Sequence, residues 1–206
     1  VAYDIIGESP FDADITEAVQ PGKEQCLAVR VTNPGGNFHW QDFNEMYWGK
    51  YQIPPGRSFG GIIGRVRLDA VSPVYVSDIY MQNQPERTKV KAILTVNNTS
   101  AKTEKQDIYF SVYEKENPGK VILEKKLPRV ALKQGTNVVT MELHCPEARI
   151  WDLDTPYLYV CGVDVKSGKK LSDRAVQTFG FRWFEPVGIG KDAMLRLNGR
   201  RVMLRT

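Results

Sequence analysis

The sequence predicts an all-β protein of sandwich domains that ends in a short hairpin, and three observations carry that prediction. Apolar residues recur with a period of two along most of the chain, which is the spacing of half-buried strands. From Val74 onward, candidate strands alternate with turn signals, giving seven strands in about 110 residues, the pattern of an immunoglobulin-like sandwich. Helical spacing is nearly absent. Only Phe43 to Lys50 supports a turn or two, and the Gly and Pro residues that follow would end it.

The elements follow in chain order. Val1 to Ile6 is already strand-like, with no initiator methionine, basic leader or cleavage site before it, so the chain is expected to have lost its true start. Gln25 to Val31, after Pro21-Gly22, and Arg65 to Leu68, after a glycine cluster, both alternate as sandwich strands do. Seven more strands are expected at Val74 to Met81, Lys89 to Val96, Asp107 to Tyr113, Val121 to Leu127, Val138 to Leu143, Tyr157 to Val165 and Leu171 to Phe181. Asn97-Asn98, Asn117-Pro118-Gly119, Gln134-Gly135 and Ser167-Gly168 supply the turns between them.

Side-chain alternation assigns the faces. Val90, Ala92, Leu94 and Val96 share one face of their strand, while Lys89, Lys91 and Thr95 share the other. Ile108, Phe110 and Val112 repeat the arrangement, as do Val139, Met141 and Leu143. A slip of one residue would exchange core and solvent faces, so the register is well specified. Pro156-Tyr157-Leu158-Tyr159 resembles a tyrosine corner, in which a phenol reaches back to a backbone group, and Trp151 just upstream is expected to cover the sandwich end. Beyond it, Leu195 to Leu204 reads as two short strands joined by Asn198-Gly199, a pair suited to positive φ at both central positions of a hairpin turn. A lone hairpin is marginal in water. Val202, Met203 and Leu204 are therefore expected to belong to a larger unit, which makes the chain a fragment.

Composition narrows the function. With 206 residues, 42% hydrophobic and 25% charged, the chain is ordinary globular material with room for two modules. No apolar run approaches the roughly 18 residues of a membrane-spanning helix, so no membrane span is expected. The net charge of +4 comes from 28 basic and 24 acidic residues that are scattered along the chain, which argues against nucleic acid as a partner. Cys26, Cys145 and Cys161 are widely spaced, with only His39 and His144 to help them, so neither a disulfide framework nor a metal site is expected and all three thiols are read as buried small residues. No phosphate-binding loop, dinucleotide fingerprint or nucleophile elbow occurs, and no cofactor is expected.

The candidate functional segment is Phe38 to Phe59. Phe38-His39-Trp40-Gln41-Asp42-Phe43-Asn44-Glu45-Met46-Tyr47-Trp48 concentrates aromatic rings with amide and carboxylate groups. Rings pack against the C–H faces of sugars while amides and carboxylates bond hydroxyls, so the composition suits carbohydrate. The competing reading is a structural loop whose aromatics plug a sandwich end. Asp12 with Asp14, and Asp152 with Asp154, are the nearest approach to paired catalytic carboxylates, and both pairs suit turn formation better. Asn97-Asn98-Thr99-Ser100 contains overlapping glycosylation sequons and is read as turn chemistry, while Lys102-Thr103-Glu104-Lys105 is read as a solvated hairpin face.

Several of these motifs together resemble one family. Trp151-Asp152-Leu153-Asp154-Thr155-Pro156-Tyr157-Leu158-Tyr159, then Phe179-Gly180-Phe181-Arg182, then Leu197-Asn198-Gly199-Arg200-Arg201-Val202-Met203-Leu204-Arg205 resembles glycoside hydrolase family 2, the β-galactosidases, β-glucuronidases and β-mannosidases. Upstream, Pro10-Phe11-Asp12-Ala13-Asp14-Ile15-Thr16, Leu27 to Val31, Trp40 and Gly60 to Leu68 resemble the later strands of that family's sugar-binding jelly roll. The resemblance implies a truncated jelly roll over residues 1–72, an immunoglobulin-like sandwich over 73–185, and in 186–206 the start of a catalytic (β/α)8 barrel. It also implies a retaining β-glycosidase whose two catalytic glutamates stand on the barrel, so that this chain supplies no catalytic residue and is inactive alone. By the same resemblance Asp42, shortly after Trp40, falls where an aspartate holds the sugar of the terminal subsite. The partners implied are a β-glycoside and the barrel of the same chain, with self-association open, and a periplasmic or secreted enzyme is favoured over a cytoplasmic one. The reading from another class is a free-standing carbohydrate-binding or cell-surface sandwich.

Overall fold

A computed structural model describes residues 10–31, 61–62 and 64–203, and the chain divides into two units, Val1–Asp69 and Ala70–Thr206. In the first unit, the described residues form turns and no strand. Asp14 accepts the Thr16 N–H at 2.9 Å, and Ala18 N–H reaches Ile15 O at 2.9 Å. The strands expected at Gln25–Val31 and Arg65–Leu68 do not form. Alternation alone makes no ladder, because a strand also needs paired amides and a covered face. Leu27 is 69% exposed and Leu68 81% exposed, so neither segment has that cover. For the same reason Cys26 is exposed, which corrects the expectation that all three thiols are buried. Val1–Ile6, the helical turn at Phe43–Lys50 and the segment from Phe38 to Phe59 lie outside the described residues.

The described residues of the second unit form ten strands in three antiparallel sheets. The strands are β1 (Val74–Asn83), β2 (Lys89–Asn98), β3 (Glu104–Glu114), β4 (Asn117–Leu132), β5 (Gly135–His144), β6 (Tyr159–Ser167), β7 (Lys170–Phe179), β8 (Phe184–Val187), β9 (Met194–Leu197) and β10 (Arg200–Val202). One sheet has the order β1-β2-β5 and a second β4-β3-β6-β7, together the seven strands of the expected sandwich. All seven expected strands form. The largest departure is β4, which runs 16 residues because irregular pairing with β3 at Gln106/Ile108 and Val112/Tyr113 absorbs the extra length.

The core lies between those two sheets and is made of the residues the alternation selects. Val90, Ala92, Leu94 and Val96 of β2 line the core from one sheet, and Ile108, Phe110 and Val112 of β3 line it from the other beside Val163 and Val165 of the neighbouring β6, all essentially inaccessible. Apart from Ala92, each of these side chains contributes about 1.5–3 kcal/mol by leaving water. Tyr159, Phe179 and Phe181 close one end with tilted and edge-on contacts at 5.0–6.3 Å. The tyrosine corner is Tyr159, whose buried hydroxyl accepts the Arg149 N–H at 2.8 Å. The margins of the sheets are also tied down. Between Val76 and Asp78 the β1 register slips, and there Asp173 of β7 accepts the Val76 N–H at 2.7 Å. On β4, Pro128 precedes Arg129 at φ 52°, whose N–H goes to Asp107 at 2.8 Å.

The hairpin forms as expected: Asn198 at φ 50° and Gly199 at φ 81° join β9 to β10. It is not alone. Phe184–Val187 pairs with β9 to complete the third sheet, β8-β9-β10. This strand has no clear alternation and contains Pro186, which a marginal strand tolerates because its outer side has no ladder to satisfy. The hairpin therefore has support within this chain that its sequence does not announce.

Candidate functional site

The two residues singled out for sugar contact, Asp42 and Trp40, lie outside the described residues. The other polar motifs can be placed. Asp14 and Asp152 both serve turns: Asp152 accepts the Leu153 N–H at 2.7 Å and lies 3.5 Å from the Arg200 guanidinium. Asn98 is fully buried, donating to Lys102 O at 2.8 Å and Leu132 O at 2.9 Å and accepting from Ser100 N–H at 3.0 Å and Ser100 Oγ at 2.6 Å. It is a turn anchor, as expected, with no free amide for a glycan. Asn97 accepts from Thr136 Oγ1 at 2.9 Å on the rim of the same turn.

The most organised polar cluster lies where the sandwich meets the third sheet, around the connecting residues Gly180–Trp183. Asn83, at the end of β1, donates to Gly180 O at 3.0 Å and accepts the Arg182 N–H at 3.1 Å, imitating a strand partner. Trp151 N–H donates to Phe181 O at 2.9 Å, and Ile150 bridges Phe181 in parallel. On the other side, Asn198 donates through Nδ2 to Trp151 O at 2.7 Å and accepts the Trp183 N–H at 3.1 Å, while its own N–H reaches Trp183 O at 2.9 Å. Two cation–π contacts cover the cluster, with the Arg182 guanidinium 4.5 Å from the Trp151 ring and Arg87 5.6 Å from Trp183.

Trp151 thus caps the sandwich end, as expected, and does more. A Cβ added to Gly180 would stand 2.9 Å from Trp151 Cβ and 3.0 Å from its ring, so only glycine lets the indole lie this close. Trp151 and Ile150, the segment Phe179–Arg182 and the turn residue Asn198 meet at this one place. Asn83 was not foreseen, and Asn198 was foreseen only as a turn residue. The signal available was that a type I′ turn also accepts Gly or Asp, so the choice of Asn leaves its amide to be explained.

A second polar surface covers the outer face of the four-stranded sheet, over a recess of about 550 Å³. Lys126 and Lys166 flank the Tyr109 ring at 4.9 and 4.8 Å, and Arg174 makes a two-pronged bond to Asp164 at 2.6 and 2.8 Å. The Lys126 ammonium holds Asp107 below the usual carboxylate range and the Arg174 guanidinium does the same for Asp164; away from this face, at the end of β3, Lys120 does so for the buried Glu114. Every carboxyl with displaced ionisation among the described residues is displaced downward, whereas a glycosidic general acid must hold its proton near neutrality. Burial pushes the Cys145 and Cys161 thiols up to about 11 and about 12, which leaves them without a reactive thiolate. No cluster of three or more His, Cys, Asp or Glu gathers as metal ligands among the described residues.

Comparison with known proteins places these features in context. The profile described as "Glycosyl hydrolases family 2" matches residues 74–182, which run from the start of β1 through the junction segment. A beta-glucuronidase of Formosa agariphila is 24% identical over 212 residues, covering 96% of this chain and 21% of the relative. A beta-galactosidase of Bacteroides ovatus is 25% identical over 205 residues, covering 96% of this chain and 22% of the relative. The chain therefore spans about a fifth of the length of the curated relatives it matches. Among solved structures, a glycosyl hydrolase family 2 member from Bacteroides cellulosilyticus superposes with a TM-score of 0.55 at 21% identity, over 66% of this chain and 17% of that one. This likeness supports the fold.

Proposed function

Because the chain belongs to glycosyl hydrolases family 2, we propose that it is a non-catalytic, scaffold-forming part of an enzyme that hydrolyses β-glycosidic bonds. The observation that carries this reading is the coincidence of the family match with the complete sandwich and its glycine-packed junction to the β8-β10 sheet. In this reading residues 1–72 belong to a sugar-binding jelly roll, 73–185 are the sandwich, and 186–206 lead into a catalytic barrel. The two carboxyl groups of a retaining glycosidase, roughly 5–5.5 Å apart, stand on that barrel. The downward-displaced carboxylates on the outer sheet face suit ion pairing and supply no proton donor. Self-association of the enzyme belongs to the same reading.

Asp42 and Trp40 are proposed to reach the sugar from the jelly-roll loop, Trp40 through its ring face and Asp42 as a hydroxyl acceptor. The test uses the enzyme that carries this chain, assayed with nitrophenyl β-glycosides. Asp42→Ala is expected to lower kcat/KM by about 10–100-fold, as loss of a charged hydrogen bond does, with an unchanged melting temperature. A parallel fall in stability would assign the loop a structural role. Turnover by residues 1–206 alone would overturn the scaffold reading.

A further inference from the structure

Segments that connect two modules are ordinarily exposed, short of contacts and mobile. The connection from β7 to β8, although Arg182 is exposed, is instead dense in hydrogen bonds. Gly180 O and Arg182 N–H are taken by Asn83, Phe181 O by Trp151 N–H, and both the N–H and the C=O of Trp183 by Asn198. The hydrogen bonds come from three separate places: the end of β1, the loop before β6 and the turn of the last hairpin. Asn198 contributes the most, because its side chain and backbone together fasten Trp151 and Trp183 to one turn. A turn in the I′ conformation would form equally well with Gly, so this carboxamide is surplus to turn formation.

We propose that Asn198 is a positioning residue, a clip that fixes the β8-β9-β10 sheet on the sandwich end and thereby sets the approach of the domains on either side of it. Its effect on catalysis rests on the functional reading above, in which the sugar-contacting Asp42 and the catalytic carboxylates stand on different domains. A loosened clip then weakens the contact made across domains and leaves the chemistry of the barrel intact. Asn83 grips the same segment from the sandwich side, so the clip acts on a strand already held at one end.

The variants are Asn198→Gly, which keeps the turn and deletes both side-chain bonds, and Asn198→Asp, which keeps the acceptor for Trp183 N–H and loses the donor to Trp151 O. In residues 1–206, hydrogen exchange at Trp183 N–H is expected to accelerate at least about tenfold in Asn198→Gly and to stay near the parent rate in Asn198→Asp, with the β9–β10 amides protected in both. In the enzyme carrying the chain, Asn198→Gly is expected to raise KM about tenfold with kcat within threefold, the size of effect two net hydrogen bonds produce. Unchanged Trp183 exchange in Asn198→Gly overturns the clip. A loss confined to kcat, or confined to stability with kinetics unchanged, overturns the positioning role. If the enzyme cleaves no β-glycoside, the activity reading fails, and the exchange measurement still decides the junction.

Discussion

Two adjacent asparagines provide a sharp test of how the sandwich is held. Asn98 ends β2 with its side chain fully buried and four hydrogen bonds spent on Ser100, Lys102 and Leu132. Asn97 sits on the opposite face with one bond from Thr136. In Asn98→Ala the partner in the core is the decisive one, because Leu132 is inaccessible to water and its carbonyl loses the amide that reached it. An orphaned buried acceptor costs about 1–3 kcal/mol, and the lost bonds at the more exposed Ser100 and Lys102 add about 1 kcal/mol between them. The total is about 2–4 kcal/mol, a drop in melting temperature on the order of 10 °C for a unit of this size. Asn97→Ala, at a rim where water replaces the lost partner, should cost at most about 1 kcal/mol. Urea denaturation followed by tryptophan fluorescence measures both, an unchanged m-value showing that the surface exposed on unfolding is the same in variant and parent. Equal effects for the two variants, or less than about 1 kcal/mol for Asn98→Ala, would refute the reasoning.

Three further outcomes follow from packing and burial. Gly180→Ala places a methyl 2.9 Å from Trp151 Cβ and should destabilise by about 1–3 kcal/mol, read in the same denaturation assay and as a shift of indole emission. With native protein at neutral pH, a thiol reagent should modify Cys26 and spare Cys145 and Cys161, all three reacting in urea. The two buried thiols stay protonated in the fold beyond the ordinary value of 9.0, so the unfolded chain releases protons first. Their contribution to stability is therefore complete below pH 9 and is lost as pH rises through about 11 to about 12. Reagent uptake by Cys161 in the native state would contradict the burial.

Where the sequence was legible, and where it was not, has a physical pattern. β2, β3 and β5 were readable because one face meets core and the other water, so a single period of two labels every residue. Tyr159 was readable as part of a corner motif, although only the fold distinguishes it from Tyr157, whose hydroxyl instead joins Lys120 in lowering Glu114. β8 was not readable, since four residues with a proline carry no period and the strand exists only because β9 lies beside it. Gln25–Val31 and Arg65–Leu68 show the converse, alternation with no pairing strand among the described residues. Of the candidate sites, the turn roles of Asp14, Asp152 and Asn98 followed from local chemistry. The part played by Asn83 depends on contacts 97 and 99 residues away and had no local signature.

The bond from Asp173 to the Val76 amide has a consequence beyond stability. Each sheet of the sandwich has two outer strands, β1 and β5 in one and β4 and β7 in the other, and an unpaired row of amides is a template on which another chain can add itself. On β1 the register slip and the Asp173 carboxylate interrupt that row, and on β4 the pairing irregularities, Pro128 and the turned-out Arg129 do the same. At the latter margin Lys126 pairs with Asp107 and Lys125 donates to Glu142 O at 3.0 Å. At these two of the four margins, such interruptions disfavour the addition of a further strand, the step by which cross-β growth begins. Asp173 is thus a gatekeeper as much as a staple, and the irregular pairing beside it is a feature that keeps one molecule from becoming the next strand of another.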